Sequence, residues 1–174
     1  MFLIKEFFTQ EQYNEMWEEL LFFCNSGLLL DSKEAGGAYD KSGALLRNTK
    51  GLPIESVMED SSIISCFSKQ IKQHTEFLTL KPTHLINLYN NGHYYDFHKD
   101  GCSWTAVTVF HEEPKKYTGG QLTFRDDEGI INGIELCRRD CVLFPGRLDH
   151  KVTPVHMETQ DPMKGRISVS RFMR

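Results

Sequence analysis

Long apolar runs are missing from this chain: nothing approaches the roughly eighteen consecutive residues that a membrane-crossing helix needs. The opening Met1-Phe2-Leu3-Ile4-Lys5-Glu6 also lacks the basic segment and extended apolar core of a signal peptide. These two absences predict a cytoplasmic chain with no membrane partner. Cysteine is scarce, odd in number and irregularly spaced, at Cys24, Cys66, Cys102, Cys137 and Cys141, so no disulfide framework is expected and a reducing compartment fits. Cys137-x-x-x-Cys141 has neither a second pair nor a suitably spaced histidine to complete a zinc site, and both cysteines read as interior strand residues. Excess basic charge is absent too: 20 Lys and Arg stand against 24 Asp and Glu, a net charge of −4. That balance offers little to a phosphate backbone and ranks nucleic acid low among partners. No repeat, low-complexity tract, Ser-His-Asp set or paired-carboxylate constellation stands out.

A chain of 174 residues can bury one substantial core, and a single domain over 1–174 is the natural count, with a helical support region at 1–80 and a β core at 81–174. Thr9-x-x-Gln12 makes a capping box, with Phe8 and Tyr13 placed as a hydrophobic staple. Tyr13, Met16, Trp17, Leu20, Leu21 and Cys24 then recur at helical spacing. A second helix is expected from Ser61 to Leu78, with Ile63, Ile64, Phe67, Ile71, His74 and Leu78 on one side. Between them, residues 25–58 hold Gly36-Gly37, Gly43, Gly51 and Pro53 and few periodic apolar positions, which reads as a surface loop or a substrate lid. After residue 80 come short β-runs: Thr83 to Tyr89, Tyr94 to His98, Trp104 to His111, Gln121 to Phe124, Ile130 to Leu136, Asp140 to Phe144, Lys151 to Val155 and Arg166 to Phe172. Eight short strands separated by turn signals predict a mainly β, double-sheet jelly roll with two amino-terminal helices packed on one sheet. Glu112 to Tyr117 reads as a solvated hairpin loop, and Asp126 to Gly129 as a charged turn.

The residues that carry chemistry begin with His98-Lys99-Asp100. On a strand, residues two apart share a face, so His98 and Asp100 start about 6.5 Å apart and converge while Lys99 points away. With the distant His150, two imidazoles and one carboxylate form the donor set of a 2-His-1-carboxylate facial triad, which suits Fe(II) and leaves three coordination positions open. By itself H-x-D is a weak signal, since any exposed strand end can carry it by chance and a solvated loop is its more frequent setting. His84, His93, His111 and His156 compete as ligands, but none has an H-x-D partner, and His156 follows Pro154, which interrupts strand geometry.

The wider spacing is more specific. Tyr89, Gly92, Tyr95, His98 and Asp100 read Y-x-x-G-x-x-Y-x-x-H-x-D, followed by Gly119-Gly120-Gln121-Leu122, Phe144-Pro145, His150-Lys151-Val152-Thr153-Pro154-Val155 and Gly165-Arg166-Ile167-Ser168. From about residue 83 to 172 this series resembles the prolyl 4-hydroxylase-like branch of the Fe(II)/2-oxoglutarate dioxygenases. The resemblance implies Fe(II), O2 and 2-oxoglutarate as cofactor and co-substrates, with ascorbate as a reductant. It also implies oxidative decarboxylation of 2-oxoglutarate to succinate and CO2, coupled to hydroxylation of a C–H bond.

The remote carboxylate of a chelated 2-oxo acid needs a charged, two-pronged partner. Arg166, Ser168, Ser170 and Phe172 share one face of the last strand, so Arg166 is the candidate clamp, Ser168 can join it, and Arg171 has the wrong parity. Lys164 has the right parity but lacks the guanidinium fork, and an arginine on a solvated terminal strand is the alternative to any clamp. Asn87 and Tyr89 share a face of the preceding strand; the Tyr89 phenol can donate to the co-substrate, as an aromatic hydroxyl does in the resembling family, or serve as a half-buried core tyrosine. Val152 would flank the co-substrate's methylenes or simply pack, and Tyr95 and Asn87 would wall the substrate pocket. The last strand lacks the R-x-N-x-T-x-R pattern expected of a nucleobase demethylase, since Phe172 stands where the second arginine would be. Family analogy alone favours a prolyl or other peptide or protein residue as substrate, ahead of a free amino acid or small metabolite. A cupin-like metal-binding barrel without oxygenase activity is the rival of another class. The substrate's identity and the oligomeric state are not encoded in any motif.

Overall fold

A computed structural model describes residues 1–35, 37–54, 61–74, 82–126, 128–129, 131–159 and 161–174. Helix α1 (Gln10–Asn25) starts where the capping box places it: the Thr9 hydroxyl accepts the Gln12 backbone N–H at 3.2 Å, and the Gln12 side chain accepts the Thr9 N–H at 3.0 Å. Helix α2 (Ser62–His74) lies beside α1, and Glu19 of α1 accepts the otherwise unpaired Ile63 N–H at 3.0 Å. The expected continuation to Leu78 falls outside the described residues.

The strands in chain order are β1 (Phe2–Ile4), β2 (Leu30–Asp31), β3 (Arg47–Asn48), β4 (Lys50–Ile54), β5 (Pro82–Tyr89), β6 (Tyr94–His98), β7 (Trp104–Phe110), β8 (Tyr117–Gly119), β9 (Leu122–Arg125), β10 (Ile131–Ile134), β11 (Cys141–Pro145), β12 (Asp149–Val152), β13 (Val155–Met157) and β14 (Arg166–Met173). They form a seven-stranded sheet in the order β1-β11-β7-β14-β5-β4-β2, a five-stranded sheet in the order β10-β9-β12-β6-β3, and a small β13-β8 ribbon, with antiparallel pairing throughout. This is the predicted jelly-roll arrangement of two facing sheets.

Period-2 alternation sorts the side chains of the large sheet into two cores. Ile86, Leu88, Ala106, Phe110, Leu143, Ile167 and Val169 pack with Tyr13, Met16, Leu20, Phe23, Ile63, Phe67 and Ile71 of the helices. On the opposite face Tyr89, Val107, Val109, Val142 and Phe144 pack with Leu122, Phe124 and Val152 of the smaller sheet. The helices therefore stiffen the large sheet from behind and leave its other face to line a cavity.

Several expectations are corrected. The described part of residues 25–58 is not a plain surface loop: β2 and β4 extend the large sheet, β3 extends the small one, and Arg47 is buried at 2% exposure. Gly36 and residues 55–58 of that segment lie outside the described residues. The run Lys151 to Val155 is split at Pro154 into β12 and β13, which belong to different sheets, because proline cannot donate to a ladder. Tyr117 is not part of a solvated loop but is buried and opens β8. Cys137 is exposed and outside any strand, whereas Cys141 is interior as expected. The expected strand start at Ile130 and the turn residue Asp127 are outside the described residues; Gly129 does close that turn, donating to the Asp126 carbonyl at 3.0 Å.

Candidate active site

His98 and His150 are direct cross-strand partners on β6 and β12, which brings residues 52 positions apart in sequence within one ring contact, with ring centroids at 4.2 Å. The next pair in the ladder is Tyr95 with Val152, so β6 advances three residues where β12 advances two. This bulge turns Tyr95 to the same side as His98, which simple strand parity forbids. The two rings lie parallel, with centroids 3.5 Å apart and planes 3° apart. Strand β6 ends at His98, so Asp100 is delivered by the following turn and not by strand alternation. That turn is pinned: the Asp100 N–H donates to the Gly146 carbonyl at 2.8 Å, and the Gly146 N–H donates to Ser103 at 3.1 Å. A side chain at Gly146 would bring its Cβ to 2.3 Å from the Cys102 carbonyl oxygen, so only glycine permits this approach.

The donor atoms of His98, Asp100 and His150 all lie within 4.8 Å of one another, and among the described residues no other cluster of this kind occurs. His98 Nε2 stands 3.7 Å from Asp100 Oδ1, and His150 Nε2 stands 3.6 Å from Asp100 Oδ2, too far for hydrogen bonds and suited to sharing one ion. The far nitrogens fix the tautomers. His98 Nδ1 is 2.8 Å from the Asp96 carbonyl and His150 Nδ1 is 2.8 Å from the Leu148 carbonyl, so each Nδ1 carries the proton and each Nε2 lone pair faces the cluster. Burial, reinforced by the neighbouring His150, pushes the His98 imidazolium down to about 3 and keeps the ring neutral. Burial raises the Asp100 carboxyl, the response of a carboxylate held away from water without its cation. Two imidazoles whose Nε2 atoms face one carboxylate fit a ferrous ion.

These three residues sit in a half-open cavity of about 430 Å³. Its floor is the inward face of the large sheet, where Arg166 pairs with Tyr89, Ser168 with Asn87 and Ser170 with Leu85. Arg166 is 2% exposed, its guanidinium carbon lies 5.0 Å from the Tyr89 ring centroid, and its Nη1 is buried with no hydrogen-bond partner among the described residues. A buried guanidinium with a free donor fits the remote carboxylate of a 2-oxo acid. Gly120, at φ +65°, makes room for it: a Cβ there would approach Arg166 Cδ to 2.7 Å. Burial raises the Tyr89 phenol, which stays protonated and able to donate. Val152, Leu122 and Val107 supply apolar wall, and Asn87 and Tyr95 line the same space. Lys164 is not at this site; it pairs with Glu112 and does not line the cavity. His84, His93, His111 and His156 are not in the cluster.

Two contributors escape the sequence reading. Arg47 lines the cavity from β3, donating to the carbonyls of Ser32 and Ala35 at 3.0 and 2.9 Å and lying 5.6 Å from the Tyr95 ring. No periodicity marks it. Thr105 donates to Asp100 Oδ2 at 2.5 Å, and here a signal exists: positions 105, 107 and 109 share the inward face of β7.

A family model for the 2OG-Fe(II) oxygenase superfamily matches residues 84–174. A PKHD-type hydroxylase from Pseudomonas putida is 35% identical over 83 residues, covering 41% of this chain and 36% of that protein. The PKHD-type hydroxylase YbiX from Escherichia coli is 28% identical over 142 residues, covering 72% of this chain and 61% of that protein. The chain thus spans between about a third and three fifths of the length of these relatives. Among solved structures, a Pseudomonas putida prolyl-4-hydroxylase superposes with a TM-score of 0.69 at 19% identity, covering 99% of this chain and 91% of that one. A Trichoplax adhaerens prolyl hydroxylase, solved with a hypoxia-inducible-factor peptide fragment, gives 0.70 at 16% identity, covering 99% and 82%. At such identities the structural likeness speaks for the fold, while the family match covers just over half the chain and includes all three residues of the His-Asp-His cluster. The chain belongs to the 2OG-Fe(II) oxygenase superfamily.

Proposed function

We propose that this chain is an Fe(II)- and 2-oxoglutarate-dependent dioxygenase that hydroxylates a residue of a peptide or protein, a prolyl residue first among candidates. The observation that carries the reading is the His98-Asp100-His150 cluster in one cavity with the buried Nη1 of Arg166, which has no hydrogen-bond partner among the described residues. When bound, Fe(II) with 2-oxoglutarate supplies activation of O2 coupled to oxidative decarboxylation.

The protein's own tasks are positional. His98, Asp100 and His150 would hold the metal on one side and leave the other open to ligands. Arg166 would bind the remote carboxylate, with Ser168 and the protonated Tyr89 as further donors and Val152 and Leu122 packing against the methylenes. Fixing the co-substrate at both ends sets its orientation before reaction. The apolar wall excludes water from the space between. Tyr95 and Asn87 would border the prime substrate, and no general base is required of the chain. A peptide substrate is supported by the half-open cavity and by the peptide bound to the Trichoplax neighbour; a free amino acid or small metabolite is the competing substrate class.

The test is succinate release from Fe(II) and 2-oxoglutarate across panels of proline-containing peptides, free amino acids and small metabolites. Peptide-stimulated release that His150→Ala abolishes is the expected result. Full turnover in His150→Ala would overturn the assignment, and stimulation by amino acids alone would reassign the substrate.

A further inference from the structure

We propose that Thr105 is a positioning residue that holds Asp100 to one-oxygen ligation and so keeps a third coordination position open. The inference rests on the functional reading above. Thr105 lies on β7 with 1% exposure, outside the ligand set, yet its hydroxyl is 2.5 Å from Asp100 Oδ2. A threonine hydroxyl has one proton, and the carboxylate is the strongest acceptor within reach. Its lone pairs then face Cys102 Sγ at 3.2 Å, and that thiol also reaches the Trp104 carbonyl at 3.3 Å. The thiol's single proton goes to the Trp104 carbonyl, so Cys102 packs beside the hydroxyl while the hydroxyl's own proton is directed at Asp100.

The two carboxylate oxygens are not equivalent in this setting. Oδ1 faces His98 Nε2 at 3.7 Å and accepts no hydrogen bond among the described residues, whereas Oδ2 faces His150 Nε2 at 3.6 Å and also accepts from Thr105. The hydroxyl fixes the carboxylate's rotation and occupies one Oδ2 lone pair, leaving Oδ1 as the better metal donor. The count matters chemically. Two imidazoles and one carboxylate oxygen leave three of six positions, two for a chelating 2-oxo acid and one for O2. A carboxylate gripping through both oxygens would close one of them. Deleting the hydroxyl also leaves a buried acceptor unsatisfied.

Thr105→Val is isosteric and equally suited to a strand, and Thr105→Ser keeps the hydroxyl without the methyl. Under anaerobic conditions Fe(II) binding and the charge-transfer absorption formed on adding 2-oxoglutarate are measured for the parent and both variants. The expected result for Thr105→Val is a roughly 10- to 100-fold weaker Fe(II) dissociation constant, with the absorption band diminished or shifted. Thr105→Ser should restore both. Should Thr105→Val fail to fold, Thr105→Ala takes its place against the same serine control. Unchanged Fe(II) affinity and band in Thr105→Val, or a serine variant as impaired as the valine one, would show that Thr105 only packs. A parent protein that binds neither Fe(II) nor 2-oxoglutarate would instead remove the functional reading on which the inference rests.

Discussion

Replacing Arg166 by alanine tests the co-substrate site most directly. The guanidinium is 2% exposed, stacked by the Tyr89 ring at 5.0 Å, and carries an Nη1 with no hydrogen-bond partner among the described residues. A carboxylate entering this end of the cavity leaves water and must recover its solvation from that group. Removing one member of a buried charge pair costs about 3–5 kcal/mol, which corresponds to roughly two to four powers of ten in a dissociation constant. Metal binding should change little, because no hydrogen bond or ion pair links Arg166 to the His-Asp-His cluster among the described residues. The assay is an anaerobic titration of the Fe(II)-loaded protein with 2-oxoglutarate and, in parallel, with 2-oxobutanoate, which keeps the chelating end and lacks the remote carboxylate. The parent should discriminate strongly between the two acids and Arg166→Ala should not, so the coupling isolates one interaction from any general loosening of the cavity. Equal 2-oxoglutarate affinity in the variant, or equal losses for both acids, would refute the clamp. Arg166→Lys should recover only part of the loss, since an ammonium cannot make the forked contact.

The adjacent glycines should separate in behaviour. Gly119→Ala drives a Cβ to 2.0 Å from the Pro154 carbonyl oxygen and should prevent normal folding, whereas Gly120→Ala meets the movable Arg166 Cδ at 2.7 Å. Gly120→Ala should therefore fold with a modest loss, about 1 kcal/mol for its positive φ, and bind 2-oxoglutarate more weakly; thermal melts and the titration above check both. Acid sensitivity should trace in part to His84, buried beside Arg171, whose Nη1 is 3.3 Å from His84 Nε2. Burial, with the Arg171 charge, pushes the His84 imidazolium down from 6.5 to about 4. The unfolded chain then binds the extra proton between those values, so stability is fully present above pH 6.5 and falls as pH drops toward 4, by on the order of 3 kcal/mol. Denaturant unfolding of metal-free His84→Gln against the parent should show a shallower acid slope in the variant, and parallel slopes would remove His84 as the cause.

The parts legible from sequence are those in which a local rule and the tertiary outcome agree. The capping box at Thr9 is satisfied by atoms three residues apart, so nothing distant can override it. The alternation in β14 survives because both its neighbours, β5 and β7, pair with it along nearly its whole length. Parity alone then puts Arg166, Ser168, Ser170 and Phe172 on the cavity floor. Lys164 shared that parity on paper. It drops out because Asp161 caps a short 3₁₀ turn over Pro162–Lys164, which ends strand periodicity before Gly165.

What escaped the reading depends on pairing partners that no window of sequence contains. The single-residue bulge between β6 and β12 is defined by the ladder as a whole, and it alone puts Tyr95 flat against His98. The 30–54 segment shows the same dependence more strongly. Glycine-rich and weakly periodic, it resembles a loop until β5 offers an edge to β4 and β6 offers one to β3. Gly51 then earns its place by lying 3.4 Å, counted from a would-be Cβ, from Asn87 Oδ1, and that same oxygen accepts from Arg47 Nη1 and Thr49 Oγ1, each at 3.4 Å. Ser32 ties the wall shut by donating to the Thr49 carbonyl at 2.7 Å while accepting the Thr49 N–H at 2.8 Å. Arg47 can be buried here only because carbonyls from residues 32 and 35 and a side chain from residue 87 converge on it. The wall of the cavity is thus set by the pairing of the 30–54 segment, and the His-Asp-His cluster by the separate β6–β12 pair and the turn that follows β6. Changes in the 30–54 segment can reshape what the cavity admits without touching His98, Asp100 or His150.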